Sequence, residues 1–184
     1  MRIIGGEFRS RRLSFPKNRK TRPMSDRMRE TLFNILGSEV QGARVLDLFA
    51  GSGSLGLEAL SRGASEVTFV EGGIWAQKTL SKNLGDLGLE SRGRLLGQEV
   101  FSALRQVSQK GEKFSLIFLD PPYNKGLVKK LLIHLDHSDI LAPFTQVIVH
   151  RSRQEKLPEP LERLKVLREK EIGQACLSFL STGQ

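Results

Sequence analysis

From residue 44 onward, short apolar runs alternate with stretches of helical periodicity, and no other feature of the chain constrains its fold as strongly. The runs are Val45 to Phe49, Val67 to Val70, a weaker one at Arg94-Leu95-Leu96, Phe114 to Leu119, and Gln146 to Val149. Between them, helices are expected from the glycine loop to about Gly63, from Trp75 to Leu84, from Val100 to Val107 and from Leu127 to Leu135. Strand–helix alternation of this kind builds a mostly parallel sheet with helices on both faces. Two last stretches, Leu164 to Leu167 and Ala175 to Leu180, suit an antiparallel pair that completes seven strands. Ahead of this core, Ser25 is placed to cap a helix carrying Met28, Leu32, Ile35 and Leu36, which Gly37 ends. Residues 1–15 alternate loosely around Gly5-Gly6 and Arg9-Ser10, and predict one or two short strands or a small hairpin. Pro16 to Pro23 reads as an extended basic linker.

In sheets of this architecture ligands bind beyond the carboxyl ends of the strands. Four acids fall there: Asp47, Glu71, Glu99 and Asp120. The first belongs to the run Asp47-Leu48-Phe49-Ala50-Gly51-Ser52-Gly53-Ser54-Leu55-Gly56, whose three glycines satisfy G-x-G-x-x-G. Glycines permit a tight turn and close approach of a ligand to the backbone. The pattern alone also describes dinucleotide sites. Asp47 separates the two, because a carboxylate there would repel a pyrophosphate but would suit a cofactor with cationic groups and no phosphate. S-adenosylmethionine carries a sulfonium and an ammonium. Glu71, 18 residues after Gly53, could accept from ribose hydroxyls, and Glu99 could reach an adenine edge. Phe49, Ala50, Gly51, Gly53 and Val100 complete the expected cofactor site. A capping role is the plainer reading of Glu99 alone, but not of Asp47 and Glu71 taken together with the loop. Trp75 is placed either to line the adenine pocket or to pack its helix.

Asp120-Pro121-Pro122-Tyr123 follows the most apolar strand. The prolines remove two amide donors and fix the backbone. Asp120 and the Pro121 carbonyl could each accept one N–H of an exocyclic base amine, aiming the nitrogen lone pair at a sulfonium methyl. Such a displacement needs positioning and electrostatics rather than a metal. Tyr123, the chain's one tyrosine, could stack on an extruded base. This geometry serves guanine, adenine or cytosine equally.

The net charge is +9, from 29 basic and 20 acidic side chains, and its distribution is uneven. Residues 1–22 hold Arg2, Arg9, Arg11, Arg12, Lys17, Arg19, Lys20 and Arg22 against Glu7 alone. A local basic block is an electrostatic footprint for a polyanion, and Arg9, Arg11, Arg12 and Arg22 are its candidate phosphate contacts. The expected division is therefore a basic arm, 1–22, and a catalytic domain, 23–184. Cys176 is the only cysteine, which excludes an internal disulfide and a cysteine-based zinc site and fits a reducing cytoplasm. No apolar run is long enough to span a bilayer. His134, His137 and His150 lack metal-site spacing and read as surface or capping residues.

Taken together, several segments match a known family. Arg2-Ile3-Ile4-Gly5-Gly6, the run from Arg22 to Asn34, the loop Asp47 to Gly56 continuing to Arg62, and Asp120 to Tyr123 resemble the bacterial small-subunit rRNA guanine-N2 methyltransferases of the RsmD type. The resemblance spans nearly the whole chain. It implies a Rossmann-like, seven-stranded methyltransferase core with an N-terminal hairpin that contacts RNA. It also implies S-adenosylmethionine as methyl donor and one guanine of the small-subunit rRNA as acceptor, in an assembling subunit, with the enzyme a monomer. The run from Arg22 to Asn34 resembles the segment that packs near the cofactor's methionine end. Three positions depart from the family: Glu99 stands for a shorter polar residue, His150 for an acid, and Gly72-Gly73 is expected to loosen the ribose side. Amine methylation of adenine or cytosine in DNA, and RNA binding without catalysis, are the competing readings.

Overall fold

The computed structural model describes residues 1–15, 24–123 and 125–183. Helix α1 covers Asp26–Leu36, and the Ser25 hydroxyl accepts the Met28 amide at 3.2 Å as its N-cap. The next elements are β1 Arg44–Leu48, α2 Ser54–Ser61, β2 Glu66–Val70, α3 Ile74–Leu87, β3 Gly93–Leu96 and α4 Val100–Gln109. They are followed by β4 Phe114–Leu119, α5 Leu127–Asp136, β5 Leu141–Ser152, β6 Leu164–Ile172 and β7 Ala175–Thr182.

The seven strands form one sheet in the order β3-β2-β1-β4-β5-β7-β6. β3, β2, β1, β4 and β5 run parallel, while β7 pairs antiparallel with both β5 and β6. Strand faces alternate, so Leu116 and Phe118 join one apolar layer while Ile117 and Leu119 join the other. The first layer takes Leu32 and Phe33 of α1, Leu57 and Leu60 of α2, and Leu80 and Leu84 of α3. The second takes Leu104 of α4 and Leu131, Leu132 and Leu135 of α5. Chain order reverses between β1 and β4, so the crossover helices diverge there and open a crevice at their carboxyl ends. Asp47 lies one residue before the end of β1 and Asp120 just past β4, on adjacent strands at that crevice. Among the described residues no helix is long and apolar enough to cross a membrane.

The expected N-terminal hairpin is present in small form: Arg2 bridges Arg12 antiparallel, Ile3 donates to the Arg11 carbonyl, Ser10 to the Ile3 carbonyl and Leu13 to the Met1 carbonyl. The amides that would extend it are used elsewhere. Ile4 and Gly5 both donate at 2.8 Å to the buried Glu58 carboxylate of α2, Glu7 donates to the Ser61 carbonyl, and Phe8 to the Ser61 hydroxyl. Ile3 and Leu13 enter the core. Residues 1–15 are thus laid along α2 rather than projecting from it. The predicted linker, Pro16 to Pro23, lies outside the described residues.

Candidate active site

The loop after β1 is held by backbone hydrogen bonds. The Ala50 amide donates to the Val70 carbonyl, tying the loop to β2, and the Gly53 amide donates to the Ala50 carbonyl. Gly53 has φ +85°, and a Cβ there would fall 2.3 Å from Leu80; one on Gly56 would fall 2.3 Å from Phe69. The glycines of the motif therefore serve a left-handed turn and close packing of α2 on the sheet. Phe49 also takes a left-handed conformation, φ 62°, which costs a bulky residue about 1–3 kcal/mol. Sequence alone carries no signal of that strain. It turns the Phe49 side chain toward a cleft beside the loop.

That cleft, of about 300 Å³, is lined by Phe49, Val70, Glu71, Gly72, Gly73, Gln98, Glu99 and Val100. Four expected cofactor residues line it: Phe49, Glu71, Glu99 and Val100. Asp47, Ala50, Gly51 and Gly53 form the adjoining loop and its base. Val70 and Gln98 were not anticipated as cleft residues, although each neighbours one that was. The Glu71 carboxylate accepts the Gly51 amide at 2.8 Å and the Gly73 amide at 2.7 Å, so it braces the loop against the next strand. A carboxylate offers about four acceptor sites, which leaves capacity for ligand hydroxyls. Gly72 and Gly73 were expected to loosen this side. Instead, a Cβ on Gly72 would sit 2.9 Å from a Glu99 oxygen and one on Gly73 3.0 Å from a Glu71 oxygen. The pair makes room for the two acids. Trp75 neither packs its helix nor lines the cleft: it is 74% exposed, with Lys78 over its ring.

Asp47 is buried beneath the loop, where one carboxylate oxygen accepts the Gly56 amide at 2.9 Å. Burial pushes it up to about 8 against that hydrogen bond, with Asp120 and Glu71 adding to the rise. Among the described residues no basic side chain lines the cleft. A site made of apolar walls, carboxylates and backbone amides fits a nucleoside cofactor with positive groups and opposes one with phosphates.

Across the crevice, Asp120 Oδ1 lies 2.6 Å from His150 Nδ1, and His150 Nε2 lies 2.6 Å from the Tyr123 hydroxyl. His150 comes from β5 and is buried, correcting its expected surface or capping role. Its signal in the sequence was its place near the end of a strand beside β4, which only the sheet order makes meaningful. Tyr123 is 40% exposed, so its ring is available to a substrate. Burial, with Asp120 and Glu155 nearby, pushes Tyr123 up to about 12 and keeps its proton in place near neutrality. Arg9, Arg11 and Arg12 are all exposed, and Arg11 donates to the Asp86 carbonyl of α3. Arg22 lies outside the described residues.

Sheet order, glycine loop and acid rim together are those of a Rossmann-like S-adenosylmethionine-dependent methyltransferase. An RNA methyltransferase from Salinibacter ruber, solved with S-adenosyl-L-homocysteine, shares the fold at TM-score 0.68 and 16% identity, covering 89% of this chain and 95% of that one. The chain belongs to the family described as Conserved hypothetical protein 95, which it matches over residues 1–181. Ribosomal RNA small subunit methyltransferase D of Escherichia coli K12 is 38% identical over 176 residues, covering 96% of this chain and 87% of that protein. A hypothetical protein of Thermus thermophilus superimposes at TM-score 0.84 with 29% identity, covering 97% of this chain and 98% of that one.

Proposed function

We propose that this protein transfers a methyl group from S-adenosylmethionine to the exocyclic N2 amine of a guanine in small-subunit rRNA. The observation that carries the reading is the meeting of two half-sites at the β1–β4 crevice. One is an acid-lined cleft with no basic wall among the described residues; the other is Asp120 followed by two prolines and a half-exposed tyrosine. When bound, the cofactor supplies an electrophilic methyl on a sulfonium.

The chain's own groups do the rest by placement. Glu71 accepts from the ribose, Glu99 lies at the adenine side, and Phe49 and Val100 form apolar walls. Asp47, beneath the loop, is pushed up to about 8 without cofactor, and gives up its proton as positive charge arrives at the methionine end, which it then stabilises. Asp120 and the Pro121 carbonyl each accept one amine N–H, with Pro122 fixing the turn, which draws the nitrogen lone pair out of conjugation and toward the methyl. Tyr123 stacks on the extruded base. Residues 1–22 form the RNA-contacting arm, with Arg9, Arg11, Arg12 and Arg22 on phosphates, and 23–184 the catalytic domain. An assembling small subunit in the cytoplasm, met by a monomeric enzyme, is the proposed setting.

Labelled methyl transfer to small subunits, naked rRNA and DNA, followed by nucleoside analysis, tests the reading. Label in N2-methylguanine from the RNA is expected. Label in N6-methyladenine without N2-methylguanine would replace it with adenine methylation.

A further inference from the structure

We propose that His150 is a positioning residue for methyl transfer, holding the Asp120 carboxylate and the Tyr123 ring in one hydrogen-bonded chain. The inference rests on the reading of Asp120 and Tyr123 as the amine acceptor and the base platform.

The direction of the chain follows from hydrogen-bond inventory. Ionised Asp120 can only accept, so His150 Nδ1 must carry the proton that spans their 2.6 Å. In the neutral ring Nε2 is then an acceptor, and Tyr123, which keeps its proton, donates to it across 2.6 Å. One tautomer satisfies both contacts. Oδ1 of Asp120 is thereby committed to His150, which turns Oδ2 toward the amine. The Tyr123 ring is held by its hydroxyl and by an edge-on contact with the imidazole, centroids 5.3 Å apart. The imidazole is 7% exposed, whereas Asp120 is 27% exposed, so the anchor is buried and the working group open. Without it, Tyr123 would be an exposed side chain free to rotate.

Single-turnover methyl transfer tests the proposal in wild type, His150→Ala, His150→Asn and Tyr123→Phe. Misplacement at this distance costs about ten- to a hundredfold in rate, and that is the loss expected for His150→Ala with cofactor affinity unchanged. His150→Asn can still donate to Asp120 and should recover part of the rate. Tyr123→Phe should be slower than wild type; a rate equal to wild type would show that the bond to His150 is idle and would overturn the chain as drawn. His150→Asn no faster than His150→Ala, or His150→Ala within twofold of wild type, would overturn the proposal. A readout that needs no methyl acceptor is the imidazole ¹⁵N spectrum of the wild-type protein above neutrality. Nδ1–H is expected for His150, and Nε2–H would overturn the chain as drawn. If wild type methylates no rRNA guanine, the functional reading fails while the spectrum still tests the hydrogen-bonded chain.

Discussion

Replacing Glu58 by alanine removes the group that fastens the first residues of the chain to α2. Its carboxylate, 1% exposed, accepts from the amides of Ile4 and Gly5 at 2.8 Å each and from Arg62 Nε at 2.7 Å. Arg29, with no exposed side-chain surface, lies 3.9 Å from it. Arg29 otherwise donates to the Arg2 carbonyl and to Asp26, while its Nε and Nη1 have no hydrogen-bond partner among the described residues. Loss of Glu58 therefore leaves a buried guanidinium without its buried counter-charge and strands two amides. Breaking one partner of a buried ion pair costs about 3–5 kcal/mol. For a chain of this size each kcal/mol lowers Tm by about 2–4 °C, so a fall of roughly 6–20 °C is expected. Thermal unfolding followed by circular dichroism reads it, and limited proteolysis should show new cleavage within residues 1–15. Glu58→Gln, which keeps one acceptor oxygen, should fall between. A drop below about 2 °C for the alanine variant would show that the N-terminal segment is not held in this way.

Asp47→Asn should raise the Tm of the ligand-free protein near pH 8 and leave it unchanged near pH 4. The folded value of about 8 lies above the ordinary 3.8, so stability is fully present below 3.8, is lost as pH rises toward 8, and the uncharged amide escapes that loss. The same variant, and Glu71→Ala, should weaken S-adenosylmethionine binding about ten- to a hundredfold by calorimetry, the cost of a charge-assisted hydrogen bond. Unchanged binding in both would place the cofactor elsewhere. For RNA, reversing Arg9, Arg11 and Arg12 to glutamate is a cleaner test than deleting residues 1–15, because that segment contributes Ile3 and Leu13 to the core. If the three arginines contact phosphates, their loss should flatten the log–log salt dependence of RNA binding by about 2 to 3, and an unaltered slope would move the RNA surface away from them.

The architecture was legible because its cues are local. Val45, Val67 and Phe114 open apolar runs, Ser25 caps and Gly37 ends a helix, and each acts within a turn or a strand of itself. β5 was seen only at Gln146 to Val149, since its outer residues are held by pairing rather than by composition, Leu141 opposite Phe114 of β4 and His150 to Ser152 opposite β7. The small hairpin was legible from its glycine turn, but its seat was not, because the amides between Arg2 and Arg12 are taken by Glu58 and Ser61, residues more than fifty positions away. Site residues that follow strand ends, such as Glu71 and Asp120, could be placed from pattern. His150 could not, because its meaning depends on β5 lying beside β4 and on Tyr123 folding back over it. Phe49's left-handed backbone and the space that Gly72 leaves for Glu99 are likewise products of the assembled rim.

Single-turnover transfer of labelled methyl to small subunits, by wild type and by Asp120→Ala with nucleosides resolved after digestion, probes donor, acceptor and Asp120 together. Label in N2-methylguanine is expected with wild type. A rate at least about a hundredfold lower is expected for Asp120→Ala, a variant that still folds and binds cofactor. A near-wild-type rate for Asp120→Ala, or label in a nucleoside other than N2-methylguanine, would contradict the assignment of Asp120 as the acceptor for a guanine amine.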